Sequence, residues 1–307
     1  MDRRFRQHSG TGVSYPASLG SAVRRARSNV RIVVAMCRQQ TRSLTTRASV
    51  VDPAGRAEVS LTSFGKRVSF VHLAIESIGA GQARPRRLVL WLDDPALVER
   101  PTRALRRLRR RGLEIQLTED LGPHKKWYPM TMLTGPDLPL VTADDDTIYP
   151  IAWLAELLSA HDDNPDEVMA HRARRIHFDA LNRIRPYAEW PSERSRGSAY
   201  STVAIGVGGV LYPPPARAAM RAAGDGFRGV APRADDIWLH AVKVRAGIRT
   251  RALGSISETA FIPVRGARSG GLLDHNVNGG GNDEQIASTF DGLVLSRMQD
   301  EVARPQP

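Results

Sequence analysis

The chain has 307 residues, enough to bury a full core in one large α/β domain, and its 41% hydrophobic content is ordinary for a water-soluble protein. No run of about 18 apolar residues is present, so no membrane-spanning helix is expected; the single Cys37 excludes an intramolecular disulfide framework and a cysteine-built zinc site, and fits a reducing, cytoplasmic compartment. The net charge of +12 suggests nucleic acid until it is mapped: residues 1–56 hold 11 Arg, no Lys and 2 Asp, a balance of +9, which leaves +3 for residues 57–307.

Residues 1–56 are rich in Arg, Ser and Thr and show little hydrophobic periodicity. A disordered basic tail is the expectation there, suited to contact with anionic lipid or nucleic acid. From Ala57 the pattern becomes regular. Ala57 to Leu61 predicts a strand, followed by the polar loop Thr62-Ser63-Phe64-Gly65-Lys66-Arg67. Val68, Val71, Ile75 and Ile78 fall at helical spacing. Arg87 to Leu92 predicts a second strand ending at Asp93-Asp94. Pro101 to Arg111 reads as a helix with Leu105 and Leu108 inward and Gly112 as its stop. Its arginines, Arg103, Arg106, Arg107, Arg109, Arg110 and Arg111, are expected outward, as a solvated face or one that docks on an anionic membrane.

Leu113 to Leu117 predicts a third strand. Lys125 to Leu133 reads as helical, curtailed by Pro129. The apolar run Leu138 to Val141 feeds Asp144-Asp145-Asp146, and Pro150 opens an amphipathic stretch. This β-α-β-α-β order predicts a doubly wound, mostly parallel sheet. The second half is less regular. Glu167 to Ala170 is a strand candidate and Asp179 to Ser198 a long loop. Thr202 to Tyr212 carries Gly206, Gly208 and Gly209. A helix over Ala234 to Ala246 opens on Asp235-Asp236, and a final helix is expected over Asp283 to Met298.

Ligands of doubly wound sheets bind at the carboxyl ends of strands. Thr62 to Arg67, Asp93-Asp94 and Asp144 to Asp146 all sit at such ends. Three carboxylates there repel one another unless a cation neutralises them, and hard oxygen ligands favour Mg²⁺ or Mn²⁺. Thr62, Ser63 and Arg67 offer donors near the first strand end. Lys125 and Lys126 either pair with phosphate or form a solvated face. Asp93 and Asp94 either bind base and ribose hydroxyls or cap the next segment. For Asp235 and Asp236 the choice is between helix capping and accepting the proton of a hydroxyl.

Taken in order, Thr62 to Arg67, Trp91-Leu92-Asp93-Asp94, Ala143-Asp144-Asp145-Asp146, Gly206 to Tyr212 and Ala234-Asp235-Asp236-Ile237-Trp238-Leu239 resemble the motifs of the GT-A class of nucleotide-sugar glycosyltransferases, family 2-like. The resemblance covers about Glu58 to Ile286. It implies a GT-A-like sheet flanked by helices over residues 57–307, with a nucleotide-binding half (57–150) and an acceptor-side half (151–307). It implies Mn²⁺ or Mg²⁺ as cofactor, with Asp146 as direct ligand and Asp144 on the nucleotide side sharing the metal. Asp145 is less defined, since adjacent side chains diverge. His275 would be a late metal ligand, and Gly208 and Gly209 would line the donor-sugar pocket. Asp235 or Asp236 would be the general base of an inverting displacement.

The implied partners are a nucleotide-diphosphate sugar and a glycan or lipid-linked hydroxyl acceptor, with peripheral contact to an anionic membrane. Two other functions compete. A sugar-phosphate nucleotidyltransferase would carry a Gly-rich basic phosphate loop, whereas Thr62 to Arg67 holds one glycine. A nucleic-acid-binding protein is disfavoured by the near-neutral balance of residues 57–307.

Overall fold

The computed structural model describes residues 19–195, 197–266 and 280–303. The strands are β1 (Glu58–Thr62), β2 (Arg87–Leu92), β3 (Leu113–Leu117), β4 (Leu140–Ala143), β5 (Thr147–Ile148), β6 (Val168–Ala170), β7 (Ala173–Arg175), β8 (Ser192–Glu193), β9 (Ser198–Ala199), β10 (Thr202–Ala204), β11 (Val210–Tyr212), β12 (Thr250–Ala252) and β13 (Ile262–Pro263). The helices are α1 (Leu19–Thr45), α2 (Val71–Gly79), α3 (Pro95–Glu99), α4 (Arg103–Arg109), α5 (Tyr128–Leu133), α6 (Trp153–Asp163), α7 (Pro214–Ala223), α8 (Phe227–Val230), α9 (Asp235–Arg245), α10 (Gly281–Thr289) and α11 (Gly292–Ala303).

One sheet runs through the molecule in the order β3-β2-β1-β4-β11-β6-β12-β9. β1 is parallel to β2 and β4, β2 to β3, and β6 to β12. β11 enters antiparallel between β4 and β6, and β9 closes the edge antiparallel to β12. This is the mostly parallel, helix-flanked sheet expected from the sequence, with two antiparallel insertions that the pattern did not disclose. Side chains alternate across it with period two. Leu88, Leu90 and Leu92 join Val59, Leu61, Ile75, Leu105 and Trp153 in one core, whereas Val89 and Trp91 join Trp127, Met130, Met220 and Trp238 in the other.

Strand order reverses between β1 and β4. Successive strands step from β1 outward to β3, then the chain returns to place β4 on the other side of β1. Such a switch point opens a crevice at the carboxyl ends of the two strands. β11 adds to it. Because Val210 lies opposite Thr142, the glycine turn before β11 sits beside the carboxyl end of β4.

The expectation of a disordered tail over 1–56 fails from Leu19 onward. α1 lies on α2 and α4: Gln39 and Ser43 are buried, Arg42 reaches the buried Glu76 at 3.6 Å, and Arg107 Nε donates to the Ser43 carbonyl at 2.8 Å. Val50 is fully buried and its N–H donates to the Arg111 carbonyl. Ile32, Ala35, Met36, Gln39 and Ser43 recur at helical spacing, a weak apolar stripe hidden among arginines. Arg111 also departs from expectation. It turns inward and grips Glu76 at 2.6 and 3.0 Å, a buried fork-to-fork pair. The expected final helix splits into α10 and α11, where Asp291 accepts from the Val294 N–H at 3.0 Å and caps the second piece.

Candidate active site

The site is built where β1 and β4 end. β1 runs into Ser63, which is fully buried, and its Oγ donates to Asp145 Oδ2 at 2.6 Å. Arg67, in the short 3₁₀ turn that follows, pairs with Asp145 and lies 2.9 Å from Asp146 Oδ2. The loop after β1 is thus fastened to the loop after β4 through Asp145. Burial pushes the Asp145 carboxyl up to about 6, against the pull of Arg67 and Ser63. Asp145 is therefore an anchor between two loops. Asp144 and Asp146 flank it.

Asp144 is held from two sides. Its backbone N–H donates to the buried Tyr149 hydroxyl at 2.7 Å, and its carboxylate lies 3.5 Å from Lys126 Nζ. Burial raises the Asp144 carboxyl above its ordinary range, with Lys126 opposing and Asp146 and Asp235 adding to the rise. Lys126 also lies 3.0 Å from Asp235 Oδ2, at the start of α9. Burial works against the charge of this ammonium, but Asp235, Asp144 and Asp236 outweigh it and hold it charged.

Beside it, Asp236 accepts the Gly206 N–H at 3.1 and 3.2 Å. Burial, followed by the charge of Asp235, pushes the Asp236 carboxyl up to about 7. A Cβ on Gly206 would lie 2.7 Å from Lys126 Nζ, so a larger residue there would push the ammonium from its place.

The 3₁₀ turn Gly122–Lys126 carries both lysines and is braced from behind by His124. His124 Nε2 donates to the Ala231 carbonyl at 2.7 Å, its Nδ1 accepts from the Trp127 indole at 3.0 Å, and the ring stacks on Phe227 at 3.9 Å. Burial drives this histidine down to about 4, so it stays neutral in that one tautomer. Lys125 pairs with Asp93 and, at 2.8 Å, with Asp120.

A cleft of about 280 Å³ opens between these groups, lined by Thr62, Phe64, Arg67, Asp93, Asp120, Gly122, Pro123, Lys125, Lys126, Ala143, Asp144 and Asp145. Thr62 donates its hydroxyl to the Trp91 carbonyl at 3.0 Å and forms part of the wall. Phe64 is 42% exposed at the mouth, with Arg67 and Lys125 5.3 and 5.7 Å from its ring centre.

Not every expected residue gathers here. Asp94 accepts the Ala96 N–H at 2.9 Å and caps α3, so it takes the capping role. Gly208 and Gly209 pack on Trp153: the indole donates to the Gly208 carbonyl at 2.6 Å, and a Cβ on Gly209 would meet the ring at 2.6 Å. Their positive φ angles, 100° and 86°, serve that close approach. His275 lies outside the described residues.

Sequence reasoning missed Phe64, Asp120, His124, Tyr149 and the structural need for Gly206. Each is an ordinary residue type whose role comes from neighbours distant in the chain. A glycine packed against an acidic pair 30 residues further along the chain leaves no linear signal.

Among the described residues no group of three or more His, Cys, Asp or Glu side chains is arranged to hold a metal ion by itself. The donor chemistry nonetheless fits a hard divalent cation. Five carboxylates, Asp144, Asp145, Asp146, Asp235 and Asp236, are gathered around two cations, with Arg67 paired to Asp145 and Asp146 and Lys126 paired to Asp144 and Asp235. Mg²⁺ commonly takes one or two carboxylates and completes its shell with water and substrate phosphates.

No protein-family model matches the sequence, and a search of curated proteins returns no match. Solved structures with a similar course of chain do exist. One is a mannosyltransferase, PcManGT from Pyrobaculum calidifontis, in complex with GDP-Man and Mn²⁺ (TM-score 0.47, 13% identity, 93% of this chain and 75% of that chain). Another is S. aureus TarS 1–349 in complex with UDP-GlcNAc (TM-score 0.43, 12% identity, 66% of this chain and 57% of that chain). A third is the inositol-1-phosphate CTP transferase from T. maritima (TM-score 0.38, 13% identity, 65% and 85%). At these scores, function has to be read from this chain's own side chains.

Proposed function

We propose that this protein is a metal-dependent glycosyltransferase that moves a sugar from a nucleotide-diphosphate donor to the hydroxyl of a glycan or lipid-linked acceptor. The observation that carries the reading is the run Asp144–Lys126–Asp235. One buried ammonium, 3.5 Å from the first and 3.0 Å from the second, joins the acidic loop at the switch point to the carboxylates that open α9. Donor-side and acceptor-side carboxylates thereby share one site. In this reading residues 57–150 bind the nucleotide and 151–307 the acceptor, and the single cysteine fits work in the cytoplasm.

Asp146, with Asp144, would hold Mg²⁺ or Mn²⁺, which supplies positive charge for the departing diphosphate. Arg67 and Lys125 stand along the cleft where phosphates would lie, and Phe64 offers a face for the base. Asp235 is committed to Lys126. Asp236 keeps some exposure and a carboxyl near 7, so it is the better proton acceptor at neutral pH. It takes the proton of the acceptor hydroxyl as that oxygen bonds to the anomeric carbon. The bond to the diphosphate breaks with its electron pair leaving on phosphate, and the anomeric centre inverts.

The test is a panel of nucleotide sugars incubated with the purified protein, with Mn²⁺ or with chelator. Slow release of nucleoside diphosphate from one donor, dependent on Mn²⁺, is expected. Pyrophosphate release from a nucleoside triphosphate and a sugar phosphate instead would move the protein to the nucleotidyltransferases.

A further inference from the structure

The first helix carries a second apolar face that the fold does not use. Along α1, Ile32, Ala35, Met36, Gln39 and Ser43 point to the body. On the opposite side, at about 100° per residue, stand Val30, Val33, Val34, Cys37 and Leu44. All five are exposed, Val30 at 62%, Val34 at 60% and Leu44 at 61%. A surface helix normally shows polar residues there.

The strip extends beyond α1. Across a groove of about 490 Å³ between α1 and the segment after β5, Ile151 is also exposed, at 57%. Arg31 and Arg38 line the same groove, and Arg27 is exposed one turn before Arg31. α1 contains six arginines and no carboxylate. α4, whose exposed Arg103, Arg106 and Arg109, with Arg110 just after it, add to the charge, packs beside its end through Arg107 and Ser43.

We propose that α1 seats this protein on an anionic lipid surface. The helix lies in the plane of the interface, its valines among the acyl chains near the headgroups and its arginines at the lipid phosphates. Apolar residues flanked by arginine are the composition of interfacial helices, and each basic residue near an anionic leaflet adds to the attraction. A second copy of the chain is the poorer occupant, because pairing this strip on itself brings two all-cationic helices together. Spanning is excluded for the described residues, since no helix is long and apolar enough to cross a membrane. The proposal stands whether or not the cleft transfers sugar, as it uses none of the cleft residues.

The full chain, co-sedimented with phosphatidylcholine vesicles containing about 30 mol % phosphatidylglycerol, tests it. Binding is expected to these vesicles and not to pure phosphatidylcholine, with release at about 0.5 M NaCl. An environment-sensitive fluorophore on Cys37, the one cysteine, should shift to the blue on binding. Val30→Ser with Val33→Ser and Val34→Ser should weaken binding at least tenfold with an unchanged thermal transition. If that variant does not fold, Arg27→Gln with Arg38→Gln serves instead and should weaken binding to the anionic vesicles. Equal binding to neutral vesicles, no binding to either, or a sedimenting dimer with Cys37 protected would each overturn the proposal.

Discussion

Replacing Asp236 by Asn should make the protein slower and more stable at once. The carboxyl is raised from an ordinary value of 3.8 to about 7 by burial and by Asp235. A carboxyl raised on folding stabilises the fold while it is protonated. That contribution is complete below about pH 4, where both folded and unfolded chains hold the proton. It is lost as pH rises through 7, because the unfolded chain ionises first. At about 1.36 kcal/mol for each pH unit of displacement, the loss is on the order of 4 kcal/mol by pH 8. Asparagine keeps an oxygen for the Gly206 N–H and carries no charge, so it escapes that loss.

Denaturant unfolding of wild type and Asp236→Asn in chelator, at pH 5 and pH 8, is the assay. The variant should gain stability over wild type at pH 8 by up to about 4 kcal/mol, and by less at pH 5. Transfer should fall by about 10² to 10⁴, the usual worth of a general base, with donor affinity kept. Wild-type kcat/KM should rise with pH through about 7, and the variant should lose that rise. A variant of near-wild-type rate, and no more stable at pH 8 than wild type, would refute both the buried charge and the base.

Three further outcomes follow from the geometry. Phe64→Ala should weaken nucleotide binding by about 1–3 kcal/mol, the range for a base stacked on an aromatic ring, with no change in melting; calorimetry with the nucleoside diphosphate reads it. Lys126→Met removes the cation between Asp144 and Asp235 and should destabilise the protein by about 3–5 kcal/mol at neutral pH, measured by denaturant unfolding. Gly209→Ala places a methyl 2.6 Å from the Trp153 ring at a φ of 86° and should cost about 1–3 kcal/mol, seen as a lower Tm.

The left half of the sheet was legible because β1 to β4 are four to six residues long, β1 and β3 with apolar residues at every second position and β2 and β4 mostly apolar, and each is followed by polar or acidic residues. Period and punctuation are enough there. β11, β12 and β6 are three residues each, too short for a period, so the antiparallel insertion of β11 stayed hidden. The acidic loop stood out because three adjacent carboxylates after an apolar run are locally costly. The division of labour within it did not. Asp145 becomes an anchor only through Ser63 and Arg67, about 80 residues away. Asp93 and Asp94 look alike in sequence, yet one pairs with Lys125 and the other caps α3. α1 was lost in its own arginines, whose charge resembles that of a disordered tail while the weaker inward stripe does the packing.

Nucleoside diphosphate binding with and without Mn²⁺ bears most directly on the acidic loop as a donor site. Titration calorimetry of wild type and Asp146→Asn with UDP and GDP should give tight binding of one nucleotide to wild type in Mn²⁺. That affinity should fall at least tenfold in chelator, and Asp146→Asn should bind equally weakly in both. Affinity for neither nucleotide, or an affinity that neither chelator nor Asp146→Asn alters, would contradict metal-dependent donor binding at the end of β4.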